Sequence, residues 1–291
     1  MAEAHATEPP SPGEPGEAHH TSVWPFVIAM AAGVGFGGLA LRLYPMIAAG
    51  AALLIVGVGG WLWQDARGIS FAVKGAYEER PFVGISRRKL GMWIFVVTEI
   101  FFFSGLIAAG LALRVRVPGC PSPIPIPAPS AACWPGPTAT PLNIPLTAVN
   151  TFILITSSLT MVESLHHAQK GNASKMKAFL LATLLLGITF VSIQAFEYFK
   201  LFYGEGLTPW PNADPAKLYL GTFGTAFYAQ TGFHGAHVTG GILALAFLNA
   251  KAWRGKYGKH DHEAIELVGL YWHFVDIVWI FLFPLMYLIG R

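Results

Sequence analysis

Long apolar runs dominate the chain, and polar residues gather between them. Seven of these runs approach the ~20 residues that a helix needs to cross the hydrocarbon core of a bilayer. They predict helices over about residues 23–41, 46–64, 90–113, 146–166, 178–202, within 218–250, and over 267–289. The pattern therefore predicts an all-α membrane protein with seven transmembrane helices.

Two segments stand outside this pattern. Residues 1–22 are rich in Pro, Glu, His and Ala and contain no Lys or Arg, so we expect a disordered tail and no cleaved signal peptide. A Pro-rich stretch over about residues 114–145 is interpreted as a loop outside the hydrocarbon, because proline removes backbone donors that a helix needs. Residues 23–291 then form one membrane domain.

Composition supports a membrane protein. Hydrophobic residues make up 54% of the chain and charged residues only 12%, whereas soluble domains carry about 25% charged residues. The net charge of +3 is too small to indicate nucleic-acid binding.

The basic residues indicate an orientation. Thirteen of the 19 Lys and Arg residues fall in three alternate loops: Arg67, Lys74, Arg80, Arg87, Arg88, Lys89; Lys170, Lys175, Lys177; Lys251, Arg254, Lys256, Lys259. Because cytoplasmic loops are enriched in Lys and Arg, we expect a cytoplasmic N-terminus and an extracytoplasmic C-terminus. Cys120 and Cys133 would then lie outside, where a disulfide can form, although two free thiols are an equal alternative.

Glu99 is the most informative ionisable residue at membrane depth. A charged side chain there costs about 2.5–3.5 kcal/mol or more, so it needs a physical reason. No Lys or Arg lies within one turn of Glu99, so we expect burial to favour its neutral form. Two interpretations stay open: a carboxyl hydrogen-bonded to a neighbouring helix, or a proton-handling group.

Other polar residues could be ligands of a metal ion or of a haem. Glu163 and His166 form a Glu-x-x-His sequence, but a di-iron bundle needs two such motifs, so an interfacial cluster is favoured. His234 and His237 share a face of helix 6, yet a bis-histidine haem needs partners on another helix. His273 is the only deep candidate, which favours structural roles for these histidines or contact with lipid.

Helix 7 carries three further polar residues at related spacings. Glu266 and His273 are seven residues apart, and Asp276 follows three later. We interpret them as a packed polar seam inside the bundle.

Several long motifs resemble subunit III of cytochrome c oxidase. They are residues 89–95 with 98–102 in helix 3, Asn150-Thr151 and His166-His167 in helix 4, residues 194–198 in helix 5, Thr231-Gly232-Phe233-His234-Gly235-Ala236-His237-Val238 in helix 6, and Glu266 with Tyr271-Trp272-His273-Phe274-Val275-Asp276-Ile277-Val278-Trp279 in helix 7. Trp24-Pro25 and Trp63 with Asp65 are similar to the family's helices 1 and 2. The resemblance covers about residues 20–291.

The resemblance implies a fold and a role. Helices 1–2 and helices 3–7 would form two bundles separated by a V-shaped cleft that holds phospholipids. The subunit would carry no redox centre, pack on subunit I, and support proton uptake and stability in a complex that reduces oxygen with electrons from cytochrome c and pumps protons. Haem a and copper would reside in subunits I and II, in a bacterial inner membrane, where other subunits and respiratory complexes are further potential partners.

The resemblance also implies roles for single residues. Glu99 corresponds to the family's buried helix 3 carboxylate, Trp63 and His237 to positions near the cleft lipids, and Arg254 to a basic lipid-binding residue. Glu197 and His234 would join the helix 7 residues in the polar seam.

Two other classes of protein stay open on residue chemistry alone. A seven-helix transporter or proton channel would use Glu99, Glu197 and the helix 6 histidines along an aqueous path. A membrane metalloenzyme would bind stoichiometric metal.

Overall fold

Helices account for nearly all of the described chain. The computed structural model describes residues 23–41, 43–66, 84–116, 134, 141–209, 221–259 and 261–288. Among these residues it contains seven α-helices: α1 Trp24–Leu41, α2 Tyr44–Ala66, α3 Arg87–Arg116, α4 Ile144–Gln169, α5 Ala173–Phe199, α6 Gly221–Trp253 and α7 Glu263–Phe283. Six of them, α2 to α7, are long and apolar enough to cross a membrane, and α1 contains a shorter apolar stretch, Trp24–Gly38. The predicted all-α architecture is confirmed.

The helices extend beyond the apolar runs that predicted them. Helix α3 begins at Arg87 and α7 at Glu263, three and four residues before the predicted starts, because backbone hydrogen bonding continues into the charged turns. Asn143 caps α4 by accepting a hydrogen bond from the Leu146 amide at 3.2 Å. Such capping residues, more than hydropathy, determine where a helix starts.

Helices α1 and α2 pack together in the first of two compact units, residues 1–75. The packing depends on glycine. A Cβ atom added at Gly50 would meet the backbone of Gly35, and one at Gly60 would meet the Trp24 ring. Small residues let membrane helices approach closely, which is a main source of their association.

Helices α3 to α7 belong to the second unit, residues 76–291. The buried residues of α4 recur at spacings of three and four: Thr147, Asn150, Leu154, Ser157, Met161, Ser164 and Ala168. The facing helix α5 repeats the pattern from Met176 to Glu197. A mean spacing of 3.5 residues is typical of left-handed helix packing.

Two tryptophans of α7 fill the centre of the second unit. The Trp272 and Trp279 side chains are fully buried, and their indole N–H groups donate to Ser157 Oγ at 3.0 Å and Thr151 Oγ1 at 2.9 Å. Gly241 leaves room for the Trp272 ring. Satisfied indole donors are expected for buried tryptophans.

Polar contacts join the start of α3 to the start of α7. Ser86 donates a short hydrogen bond to Glu263, Arg88 approaches Glu263 at 3.5 Å, and Lys89 Nζ donates to Glu266 Oε1 at 2.5 Å. The two helices therefore run parallel, with their N-termini side by side.

Candidate functional site: a buried carboxylate–imidazole pair

Glu99 of α3 contacts His237 of α6 inside the membrane-spanning part of the second unit. Glu99 Oε2 lies 3.0 Å from His237 Nε2, and both side chains are about four-fifths buried, with 18% and 19% of their surface exposed. The carboxyl that the sequence left without a partner thus has one on another helix. Pairing is what offsets the cost of placing two polar groups at this depth.

The contact of the second imidazole nitrogen determines where the protons of the pair can lie. His237 Nδ1 lies 2.7 Å from the carbonyl oxygen of Phe233. A carbonyl oxygen only accepts hydrogen bonds, so Nδ1 carries a proton and donates it. A hydrogen bond between Nε2 and Oε2 then needs one further proton, carried either by the imidazole, which would give an ion pair, or by the carboxyl, which would give a neutral pair. The net charge is zero in both cases.

Aromatic rings enclose the pair. The Phe103 ring meets the imidazole edge-on with centroids 4.9 Å apart, and Phe102 lies 6.0 Å away. Tyr271 of α7 donates its phenolic hydrogen to the backbone carbonyl of His237 at 2.9 Å. These rings shield much of the pair from solvent, and the low local dielectric constant strengthens the hydrogen bond between the two groups. The arrangement can hold and relocate one proton.

Glu197 forms a separate polar cluster near the C-terminal end of α5. Its carboxylate accepts hydrogen bonds from Thr147 at 3.1 and 3.2 Å, from Tyr287 at 3.3 Å and from Gln194 at 3.5 Å. All of these donors are neutral, and they join α4 and α5 to Tyr287, four residues beyond the end of α7. The cluster therefore stabilises the packing of these segments against one another.

His234 lies in the core, next to the central tryptophan. Its ring stacks on Trp279 with centroids 4.8 Å apart and meets Phe190 edge-on. Neither imidazole nitrogen has a hydrogen-bond partner within the described part of the chain.

The three polar residues of helix 7 lie in different surroundings. Asp276 is buried, and His273 lines an open apolar groove between α3 and α7. Glu266 accepts the hydrogen bond from Lys89 at the start of the helix.

Two of the remaining predicted site residues are described, and two fall outside the described residues. Trp63 of α2 is 60% exposed and belongs to the first unit. Arg254 is exposed in the turn after α6. Cys120 and Cys133, and with them the disulfide prediction, fall outside the described residues, as does the predicted N-terminal tail.

The candidate metal ligands do not form a larger cluster. His167, not His166, approaches Glu163, at 3.8 Å, and its ring stacks on Phe179. Across the described ranges, no group of three or more His, Cys, Asp or Glu side chains is placed to hold a metal ion.

Among the described residues outside the membrane-spanning segments, one ionisable group has a shifted pKa. Burial raises the pKa of the Tyr257 phenol in the turn between α6 and α7, and the Asp261 carboxylate adds a smaller effect in the same direction. The phenol is therefore neutral at physiological pH.

Sequence reasoning missed the partners of these groups. His237 for Glu99, Lys89 for Glu266, and Thr147 and Tyr287 for Glu197 all come from other helices. The signal that could have found the first pair is depth: both residues lie well inside long helices that run in opposite directions.

Fold and site define a multi-pass helical membrane protein whose interior holds a hydrogen-bonded carboxyl–imidazole pair. A family model described as "Cytochrome c oxidase subunit III" matches residues 18–291. The chain belongs to the cytochrome c oxidase subunit III family.

Individual relatives agree with this membership. A probable cytochrome c oxidase subunit 3 of Nocardia farcinica is 34% identical over 200 residues, covering 69% of this chain and 87% of the relative. Cytochrome c oxidase subunit 3 of Thermostichus vulcanus is 32% identical over 228 residues, covering 78% of this chain and 97% of the relative. The Bacillus subtilis subunit 3 is 31% identical over 201 residues, covering 69% and 86%.

Proposed function

We propose that this chain is a non-catalytic core subunit of a bacterial cytochrome c oxidase in aerobic respiratory electron transport. The observation that carries the proposal is the family match over residues 18–291, which takes in all seven helices. In this proposal the chain packs directly on subunit I, and haem a and copper are held by subunits I and II. The chain itself supplies a lipid-contacting, proton-handling surface and no redox chemistry.

The Glu99–His237 pair is the group through which the subunit would support proton uptake. With one proton shared between Nε2 and Oε2 the pair has zero net charge, and the proton can move between these two atoms without changing that charge. Release of the proton from the pair must be matched by uptake of another, because a negative charge would otherwise remain in the hydrocarbon. Partial exposure of both side chains gives water or a lipid headgroup a route to them. Both properties of the pair support a proton relay or reservoir at the membrane-embedded surface of the oxidase.

Phospholipid binding belongs to the same proposal. The family resemblance implies a V-shaped cleft that holds phospholipids between helices 1–2 and helices 3–7, with Trp63, Glu99, His237 and Arg254 near the lipids. The exposed indole of Trp63 and the exposed guanidinium of Arg254 suit a glycerol backbone and a phosphate, respectively.

The orientation follows from charge. We propose that α1 also crosses the bilayer, so that seven helices place the N-terminus in the cytoplasm of a bacterial plasma membrane and the C-terminus outside. The excess of Lys and Arg in the loops after α2, α4 and α6 supports this arrangement.

The test compares oxidase that contains this chain with oxidase from a strain that lacks it. We expect the depleted complex to start with substantial activity and to lose it during continuous oxygen consumption, because proton delivery is impaired while the redox centres remain in place. Complementation should restore lasting activity with the wild-type chain, and with a Val97→Leu control that alters an exposed apolar residue of α3. Equal activity decay with and without the chain would contradict the proposal.

A further inference from the structure

Tyr271 of α7 contacts both helices that carry the carboxylate–imidazole pair. Its hydroxyl donates a hydrogen bond to the backbone carbonyl of His237 on α6 at 2.9 Å. Its ring contacts the Phe95 ring of α3, with centroids 6.0 Å apart, and Phe95 and Glu99 share a face of α3 because they are four residues apart. One side chain of α7 therefore meets α6 at His237 itself and α3 one turn before Glu99.

The His237 ring is held by its own helix. Nδ1 donates to the carbonyl of Phe233, four residues earlier, at 2.7 Å, so the position of Nε2 follows the position and rotation of α6. The imidazole extends well beyond the Cα atoms, which lie about 2.3 Å from a helix axis. A small rotation of α6 therefore moves Nε2 further than it moves the backbone, and the 3.0 Å contact with Glu99 depends on that rotation.

The Tyr271 hydroxyl holds the α6 backbone at the residue that presents the imidazole. Within the continuous helix α6, the His237 carbonyl also accepts the amide of Gly241, four residues later. A carbonyl oxygen has two lone pairs, so it can accept the phenol as well. The phenol comes close to α6 because residue 241 is glycine: a Cβ atom there would lie 3.3 Å from ring atom Cε1 of Tyr271, closer than an ordinary contact.

The phenol is not placed to transfer a proton to the pair. Its hydrogen is directed at a carbonyl oxygen, which accepts hydrogen bonds and passes no proton on. In the described part of the chain, Tyr271 has no hydrogen bond to the Glu99 carboxyl or to the His237 ring. The contacts of Tyr271 therefore suit a residue that orients the pair, and the proton itself stays with the carboxyl and the imidazole.

We propose that Tyr271 is a positioning residue for the Glu99–His237 pair, and that its hydroxyl sets the rotation of α6 at which the imidazole meets the carboxyl. The inference rests on the proposed function only for what the pair does with its proton. The positioning itself depends on the contacts of Tyr271 with α3 and α6, which all lie within the second unit.

The test is a double-mutant cycle of Glu99→Leu and His237→Phe, repeated in a Tyr271→Phe background and followed by SDS-induced unfolding of the full chain. The His237 carbonyl keeps its bond within α6 in this background, so the variant should fold. We expect the coupling between Glu99 and His237 to fall to about half of its original value or less. An unchanged coupling would overturn the proposal, because a hydroxyl that only stabilises the fold shifts all four members of the cycle equally.

Tyr228→Phe is the matched control. The Tyr228 hydroxyl also donates to a backbone carbonyl, that of Leu207, at 3.0 Å, and its ring contacts Tyr198 and Phe227 instead of the pair. The coupling between Glu99 and His237 should keep its original value in this background. A decrease of the same size in both backgrounds would overturn the proposal, since it would reflect a general loosening of the helix bundle.

Infrared spectroscopy of the complete complex separates this inference from the proposed function. The bands of the Glu99 carboxyl are assigned as those lost in Glu99→Gln; they should shift in Tyr271→Phe and stay in place in Tyr228→Phe. Bands that stay in place in both variants would overturn the positioning role. If the bands shift in Tyr271→Phe but oxidase activity lasts as long during turnover as in the wild type, the positioning role is supported and the role of the pair in proton uptake is contradicted. The coupling in the purified chain decides the question if Tyr271→Phe fails to assemble.

Discussion

The hydrogen bond between Glu99 and His237 makes a quantitative prediction about substitutions at both positions. Replacing Glu99 with leucine leaves the buried His237 Nε2 without a partner, which costs about 1–3 kcal/mol. Glu99→Gln should cost less than about 1 kcal/mol, because the imidazole is already protonated at Nδ1 and its Nε2 can accept a hydrogen bond from the glutamine amide. The Glu99→Gln variant should therefore retain most of the stability that the Glu99→Leu variant loses.

A double-mutant cycle isolates the pairwise energy. Interhelical hydrogen bonds in membranes average about 0.6 kcal/mol and reach about 1.7 kcal/mol. The Glu99–His237 contact is four-fifths buried, at 3.0 Å, and its imidazole is anchored on the Phe233 carbonyl, so we expect a coupling of about 1–2 kcal/mol between Glu99→Leu and His237→Phe.

The assay is SDS-induced unfolding of the purified chain in mixed micelles, followed by circular dichroism and tryptophan fluorescence. Thr98→Leu combined with His237→Phe is the control, since Thr98 Oγ1 donates to Phe95 within its own helix, and it should show no coupling. A coupling for Glu99 and His237 within about 0.3 kcal/mol of zero would refute the reasoning. So would a Glu99→Gln variant as unstable as Glu99→Leu.

Two further predictions concern close helix packing. Gly241→Ala should destabilise the second unit by about 1–3 kcal/mol, because the new Cβ would lie 2.8 Å from a ring atom of Trp272, whereas Gly235→Ala, in open space on the same helix, should be neutral or stabilising. Thermal unfolding of the two variants compares them, and equal midpoints would contradict the packing of the indole. Gly50→Leu should separate α1 from α2 and increase proteolysis between them, while Gly59→Leu, with nothing within 4 Å of its Cβ position, should not; equal proteolysis of both would contradict the close approach.

The helices could be predicted from the sequence because a bilayer demands long apolar segments, and little else satisfies that demand. Their ends could not, because polar turns such as Arg87–Lys89 continue the helix by backbone hydrogen bonding that hydropathy does not register. Capping residues such as Asn143 give a local sequence signal for the start of a helix, but this signal is weaker than that of the neighbouring apolar runs.

The individual site residues could be predicted from the sequence, but the contacts between them could not. Glu99 could be identified because a single carboxyl at membrane depth is energetically costly and therefore indicates a specific role. Its partner lies 138 positions away, and the sequence contains several histidines at comparable depth, so only the packing of α3 on α6 distinguishes His237 from His234 and His273. The family motifs marked all three without indicating which one contacts the carboxylate.

Membership of the family implies that this chain works as a subunit of a cytochrome c oxidase. The most direct test is a pull-down of the tagged chain in gentle detergent, read by the visible spectrum and by metal analysis. We expect subunits I and II to co-purify with the tagged chain, together with a haem a spectrum and copper. A colourless, metal-free protein, obtained under conditions in which tagged subunit I retains its other partners, would contradict it.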